Sequence, residues 1–445
     1  MFSLRKTVNP FSASALNCRT IRLELSMDTP EPLKLFLASA HFFPTHGGAQ
    51  LRYLRYIPGL RERGIQTSVL CGTPKSKKNE QTNVNNQDSS SQDHQLLPQE
   101  IPDDLSIHRV KLPDSPGWHR SITFNQAILR YCNQPGYRPD IIQLVSSLKP
   151  GSIFWLHRLR KLGAAMVYAY TLPMQLPSNS LERFLRRLTL RKLFNSMDCI
   201  IVNSTQMQEQ MSHLGVRVRL EFIPNGVDPQ RFRPSSSAEE RKSVRESLGI
   251  EPNQLVITTV GAVHPRKGTD LLLEAWVTLA KRFPDARLFV VGLRKDLTYP
   301  NLKQFLQRLQ ELLAQSGAPE RVHFTGSVRN VENYLRASDV FAFPSAREGM
   351  PNVVLEAMAS GLPVVLTQFD GLSAELGRAG EEYLLVERRA DTLAKAISGL
   401  FESFHLRENY GKKARNWVKE HLDIERSLDR YAHLYHELAN QSRQK

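Results

Sequence analysis

The chain has 445 residues, of which 41% are hydrophobic and 23% charged, enough for two ordinary cores. No apolar run reaches the roughly 20 residues that span a bilayer. Cys18, Cys71, Cys132 and Cys199 are scattered without metal-type spacing, which excludes a disulfide framework or zinc module and favours a reducing, cytoplasmic setting. The net charge of +15 points to anionic partners.

Residues 1–30 are rich in Ser and Arg but lack a continuous apolar stretch, so secretion is not expected. We read them as an over-extended start before Met27 rather than a targeting peptide. LKLFLAS then reads as a strand, and FPTHGGAQ as a loop carrying Gly47 and Gly48. LRYLRYIPGLRERG reads as a helix containing Pro58 and closed by Gly64, and TSVLCG as the next strand. Glycines at the first strand-to-helix turn are the start of a doubly wound βαβ unit. Segment 74–98 is polar and of low complexity, and is expected to be a disordered insertion. Further strands are predicted at 141–145, 164–170 and 199–204, before the turn-rich EFIPNGVDPQRFRP.

Segment 181–194, LERFLRRLTLRKLF, interleaves Arg183, Arg186, Arg187, Arg191 and Lys192 with Leu and Phe. Two readings stand: a basic amphipathic helix lying on an anionic membrane, or a surface helix packing its apolar stripe on the core.

The second half restarts with QLVITTVGAVHPRKGTDLLLEAW, a strand, loop and helix, and continues through ARLFVVG, VHFTG, VFAFPS and LPVVLTQ. VFAFPS reads as a buried strand followed by Glu348. Gly349 and Pro351 break the chain, and NVVLEAMAS opens a helix that carries Glu356. Seven residues separate the two carboxylates, and between them lie the exposed N–H groups of a helix start, a ready anion site. Acids flanking an anion site suit a ligand with hydroxyls at both ends and phosphate in the middle.

The segment AREGMPNVVLEAMASGLPVV resembles the signature of the family 4 (GT4) retaining glycosyltransferases. FPTHGGAQ, DCIIVNS with IPNGVD, VGAVHPRKGTDLLLEA and VHFTG resemble other pieces of the same family, over roughly residues 33–435. The resemblance implies the GT-B fold: two Rossmann-like doubly wound parallel-sheet domains facing a cleft. It implies an N-terminal acceptor-side domain over 31–228, a linker at 229–250 and a donor-binding domain over 251–415. A C-terminal helix, 416–445, would return to the first domain.

It further implies that Glu348 lies near the donor sugar, Glu356 holds the nucleotide ribose, and Lys267, aided by Arg266, stabilises the diphosphate. Backbone groups of Gly349, Met350, Pro351 and Asn352 and of Gly47 and Gly48 would complete the phosphate and sugar sites, and Gly326 would admit the nucleobase. Two departures stand out. Ala262 replaces the family's arginine after the first glycine of its loop, and Thr171 occupies the place of a histidine. Thr171 can hydrogen-bond a sugar hydroxyl but is no base at neutral pH.

No Asp-X-Asp motif and no metal-spaced ligand set occurs, so no metal or other cofactor is expected. GxGxxG and P-loop patterns are absent, and no recognition motif supports nucleic acid as a partner. The expected activity is hexosyl transfer from a nucleoside-diphosphate sugar to a hydroxyl of a glycan, lipid-linked or small-molecule acceptor, in the cytoplasm, either free or peripheral at the inner membrane face. A non-catalytic sugar-nucleotide-binding subunit and an epimerase on the same architecture remain as alternatives.

Overall fold

Two all-parallel sheets organise the chain in a computed structural model. The model describes residues 31–40, 42, 48–73, 105–113, 117–145, 152–293 and 302–444. The extension 1–30, the insertion 74–98 and Gly47 lie outside these residues. The first sheet comprises β1 (Leu33–Ser39), β2 (Ile65–Gly72), β3 (Ser106–Val110), β4 (Ile141–Leu144), β5 (Ala165–Tyr170), β6 (Cys199–Val202) and β7 (Arg219–Phe222), ordered β3-β2-β1-β4-β5-β6-β7. The second comprises β8 (Val256–Val260), β9 (Arg287–Val291), β10 (Val322–Gly326), β11 (Val340–Phe343), β12 (Val364–Thr367) and β13 (Leu384–Val386), ordered β10-β9-β8-β11-β12-β13. These are two doubly wound parallel sheets, as the alternating pattern predicts.

Parallel strands buried on both faces read as continuous apolar runs. IIQL, AMVYAY and CIIV are accordingly buried at every position. Alternate residues of β1 feed two cores, Leu33, Leu35 and Leu37 on one face and Phe36 and Ala38 on the other. The second sheet divides in the same way. Wholly buried side chains such as Trp276 and Phe341 each contribute about 1.5–3 kcal/mol. Cys71, Cys132 and Cys199 are buried free thiols.

Three strands carry no clear sequence signal: β3, β7 and β13. All three are edges, and their residues are half-buried or exposed. An edge strand buries too little to need an apolar run, and SIHRV and RLEF carry charges that discourage further pairing.

Residues 229–250, expected as a linker, are integral to the second domain. Phe232 and Ile250 join its core, and helix α6 (Ala238–Ser247) packs there. The buried Arg245 guanidinium pairs with Asp339 at 2.8 Å and donates to the Ala337 carbonyl at 3.0 Å.

Helix α12 (Phe404–His421) keeps Ala414 and Val418 in the second core. The chain then crosses back. Helix α13 (Ile424–Arg443) places Leu428, Tyr431, Tyr435 and Leu438 in the first core, against helix α1 (Gly48–Glu62). Gly226 is needed at this crossing, since a Cβ there would lie 2.6 Å from Ile424 Cα. Leu33–Lys445 form one compact unit.

Candidate active site

In a doubly wound sheet, ligands bind beyond the carboxyl ends of the strands where the order reverses. In the second sheet that switch point lies between β8 and β11. The loop leaving β8 carries Arg266 and Lys267 on a single 3-10 turn, Pro265–Lys267. The loop leaving β11 carries Glu348. Topology thus brings together side chains 82 residues apart in the chain.

The two loops are joined tightly. The Arg266 carbonyl accepts from the Ala346 N–H at 2.8 Å. Gly268, at φ +73°, ends the 3-10 turn, and a Cβ there would collide with the Pro344 carbonyl. Only glycine meets both demands. Glu348, 8% exposed, turns Oε1 toward Arg266 Nη1 at 2.7 Å, Lys267 Nζ at 2.7 Å and the Ser345 hydroxyl at 2.6 Å. Arg266 Nη1 also donates to the Arg347 carbonyl at 2.6 Å. Lys267 folds back over Gly261, with Nζ 5.5 Å from the Phe343 ring centroid.

Two cations therefore share one carboxylate. The Arg266 and Lys267 side chains keep 33% and 20% of their surface exposed, against 10% for Glu348. The cluster presents the partly exposed guanidinium and ammonium groups on its reachable side, a chemistry that attracts an anion. The sequence singled out Ala262 as a missing arginine. In space, Arg266 supplies a guanidinium to Glu348.

Past Glu348 the chain runs straight to helix α10 (Asn352–Ala359), with Pro351 as N-cap and no side-chain cap. Its first N–H groups are thus free of a capping side chain. Gly349 presses on the first domain, where a Cβ would collide with the Thr171 carbonyl oxygen. Thr171 therefore meets this loop through its backbone. The Asn352 amide donates to the Gly48 carbonyl at 3.0 Å, joining the starts of α10 and α1 across the cleft. Gly326, at φ +67°, faces open space, and its carbonyl accepts from the Gly292 N–H at 2.8 Å.

Glu356 stands apart from the Glu348 cluster. It is 3% exposed, and its carboxylate is paired with Arg55 of α1, whose guanidinium also lies 5.2 Å from the Phe232 ring centroid. Arg55, Arg52 and Ser345 are site residues that the sequence reading missed. The available signal was the helical period of α1, which buries Arg52 among Tyr53, Tyr56 and Ile57. Glu375 joins the two domains by accepting from the Thr205 N–H at 3.1 Å. Among the described residues, no three His, Cys, Asp or Glu side chains converge as metal ligands, and no helix is long and apolar enough to cross a membrane.

Comparison with known proteins agrees with this architecture. The profile "Glycosyl transferases group 1" matches residues 240–417, and "Glycosyltransferase Family 4" matches residues 46–231. The chain is 33% identical over 205 residues to the lipopolysaccharide core biosynthesis mannosyltransferase LpsB of Rhizobium meliloti (strain 1021), covering 46% of this chain and 55% of that one. It is 30% identical over 272 residues to the GDP-mannose-dependent alpha-(1-6)-phosphatidylinositol monomannoside mannosyltransferase of Mycobacterium tuberculosis (strain ATCC 25618 / H37Rv), covering 59% and 67%. The chain spans about half the length of several curated relatives it matches. Among solved structures, Anabaena Alr3699/HepE in complex with UDP and glucose superposes with a TM-score of 0.69. That match has 20% identity and covers 91% of this chain and 99% of that one, a likeness of fold.

Proposed function

The chain belongs to the glycosyl transferases group 1 family, and on that footing we propose a retaining glycosyltransferase that needs no metal. It moves a hexosyl group from a nucleoside-diphosphate sugar to an acceptor hydroxyl. The observation that carries this reading is the Glu348–Lys267–Arg266 cluster at the switch point, beside the uncapped start of α10.

In this reading the donor diphosphate lies against the α10 N–H groups and the two cations. The bond from the anomeric carbon to the phosphate oxygen breaks, and the new bond to the acceptor oxygen forms on the same face. The acceptor proton passes to the leaving phosphate oxygen, since Thr171 offers no base. Lys267 and Arg266 stabilise the charge that builds on the leaving group, the role a metal fills elsewhere. Glu348 positions these cations and the sugar, and Glu356 holds the ribose hydroxyls.

Incubation with UDP-, GDP- and ADP-sugars and cell-extract acceptors, with EDTA present, tests this. Transfer should survive the chelator, and proton NMR of the product should show the donor's anomeric configuration. Inversion or abolition by EDTA would overturn the reading. Donor binding without turnover would favour the non-catalytic alternative.

The acceptor reading concerns helix α4 (Ser180–Phe194). Only Leu193 and Phe194 are buried there, while Leu181, Phe184, Leu185 and Leu188 are 68%, 58%, 54% and 47% exposed. The stripe therefore divides: Leu190, Leu193 and Phe194 pack on the core, and Leu181, Phe184, Leu185 and Leu188 do not. Arg183, Arg187 and Arg191 line a cavity of about 440 Å³ between α4 and α5 (Thr205–Leu214). Apolar side chains among arginines complement an anionic lipid surface, so we place the acceptor at such a membrane.

Each basic side chain near such a surface is worth about 1 kcal/mol. Arg183→Gln, Arg186→Gln and Arg187→Gln together should therefore weaken binding to phosphatidylglycerol-containing vesicles about a hundredfold. Binding should also fall with salt. Cosedimentation unchanged by the triple substitution would contradict the membrane reading.

A further inference from the structure

We propose that Asn225 is a positioning residue that fixes the loop opening α10 to the acceptor-side helix α1. In sequence, Asn225 and Gly226 look like turn formers. In the structure Asn225 is 4% exposed and lies just past β7, where the chain leaves the first domain. Its amide donates to the Met350 carbonyl at 2.8 Å and to Asn352 Oδ1 at 2.8 Å. Its oxygen accepts from Arg52 Nη1 and from Asn203 Nδ2, the latter at 3.2 Å. Its backbone N–H points at Met350 Sδ, 3.1 Å away.

All four hydrogen-bonding positions of one amide are therefore used. The orientation of that amide is determined by its neighbours. Arg52 can only donate and the Met350 carbonyl can only accept, so a flipped amide would oppose both.

Arg52 adds a second observation. It is 4% exposed and makes no ion pair with an acid among the described residues, and its Nε has no hydrogen-bond partner there. Its surroundings are neutral: the Asn225 oxygen accepts from it, the Tyr53 ring centroid lies 4.8 Å from its guanidinium carbon, and the Tyr53, Tyr56 and Tyr431 side chains are close by. A buried cation held by a neutral amide leaves its charge uncompensated behind the start of α10. Asn225 thus joins α1, the end of β6 and residues 350–352, so that a shift of α1 reaches the loop carrying the donor N–H groups. The inference rests on reading 348–356 as the donor site.

Asn225→Asp separates positioning from simple filling. The carboxylate still accepts from Arg52 and Asn203, now as a charge-assisted pair, so the fold should persist with a Tm near wild type. The same substitution presents oxygen to the Met350 carbonyl and breaks that link, and Asn352 can bond the carboxylate only by turning its amide and giving up the Gly48 carbonyl. Amide hydrogen exchange at 349–353 in the ligand-free protein should accelerate about ten- to a hundredfold, and the donor KM should rise by a similar factor with kcat changed less. Unchanged exchange at 349–353 would overturn the proposal, as would an unchanged KM in a protein that turns over its donor.

If the wild-type protein binds no nucleotide sugar, the donor reading fails alone, and the exchange result still decides the positioning role. If Asn225→Asp does not fold, Asn352→Ala, which removes one of the two links, should accelerate exchange over the same stretch. No acceleration there counts against the proposal.

Discussion

Lys267→Met is expected to lower kcat by about 10²- to 10³-fold, the cost of removing one preorganised charge from a developing anion. Methionine keeps the aliphatic stem that packs over Gly261 and near Phe343, so the variant loses little beyond Nζ. Arg266 stays 2.7 Å from Glu348, and the loop pair keeps its Ala346-to-Arg266 hydrogen bond. The fold should therefore be retained. Because the diphosphate, already anionic when bound, gains its additional negative charge as the glycosidic bond breaks, the loss should fall more on kcat than on donor KM. Initial rates at saturating donor check this. A fall of less than about threefold would remove Lys267 from the chemistry, being small beside the effect of a preorganised charge.

Glu356→Ala is expected to act on binding instead, raising donor KM by about ten- to a hundredfold. A hydrogen bond to a charged group is worth about 1.5–3 kcal/mol, and the ribose diol offers two. The gain is offset because the free protein already satisfies this carboxylate with Arg55, which the diol must replace. Stability should change little. The group left behind is Arg55, 22% exposed, and the cost of stranding a partly solvated cation is nearer the surface value of about 1 kcal/mol than that of a buried ion. Thermal unfolding and donor titration of the same variant separate the two effects. Unchanged KM would mean that Glu356 serves only as the partner of Arg55.

Much of this was legible in the sequence for a definite reason. Central parallel strands must be apolar on both faces, so IIQL, CIIV and VFAF announce themselves, and the loops that follow are where a doubly wound sheet puts its ligands. Glu348 could be singled out because it stands just past such a strand, and Lys267 because the loop VGAVHPRKG resembles the family's basic loop.

The partners of these residues could not be read the same way. Arg52 meets Asn225 across 173 residues and Arg55 meets Glu356 across 301, contacts that no local pattern encodes. Asn225 illustrates the limit, since a good turn former and a four-way junction look identical in one dimension. The basic stripe of α4 fits two readings in sequence, and only the structure shows that Leu181, Phe184, Leu185 and Leu188 are exposed while Leu193 and Phe194 are buried. The sequence puts Arg266 near Lys267 in place of the arginine absent at Ala262, but not its reach: one turn of 3-10 helix brings its guanidinium to Glu348.

The most direct test of the central claim is calorimetric titration of the wild-type chain with UDP-, GDP- and ADP-sugars in the presence of EDTA. The account predicts that one nucleotide class binds at a single site per chain, and that Glu356→Ala weakens it about ten- to a hundredfold while Lys267→Met weakens it much less. Failure of every donor to bind the folded wild-type protein would contradict the account, because the cluster at the switch point would then have no anion to hold.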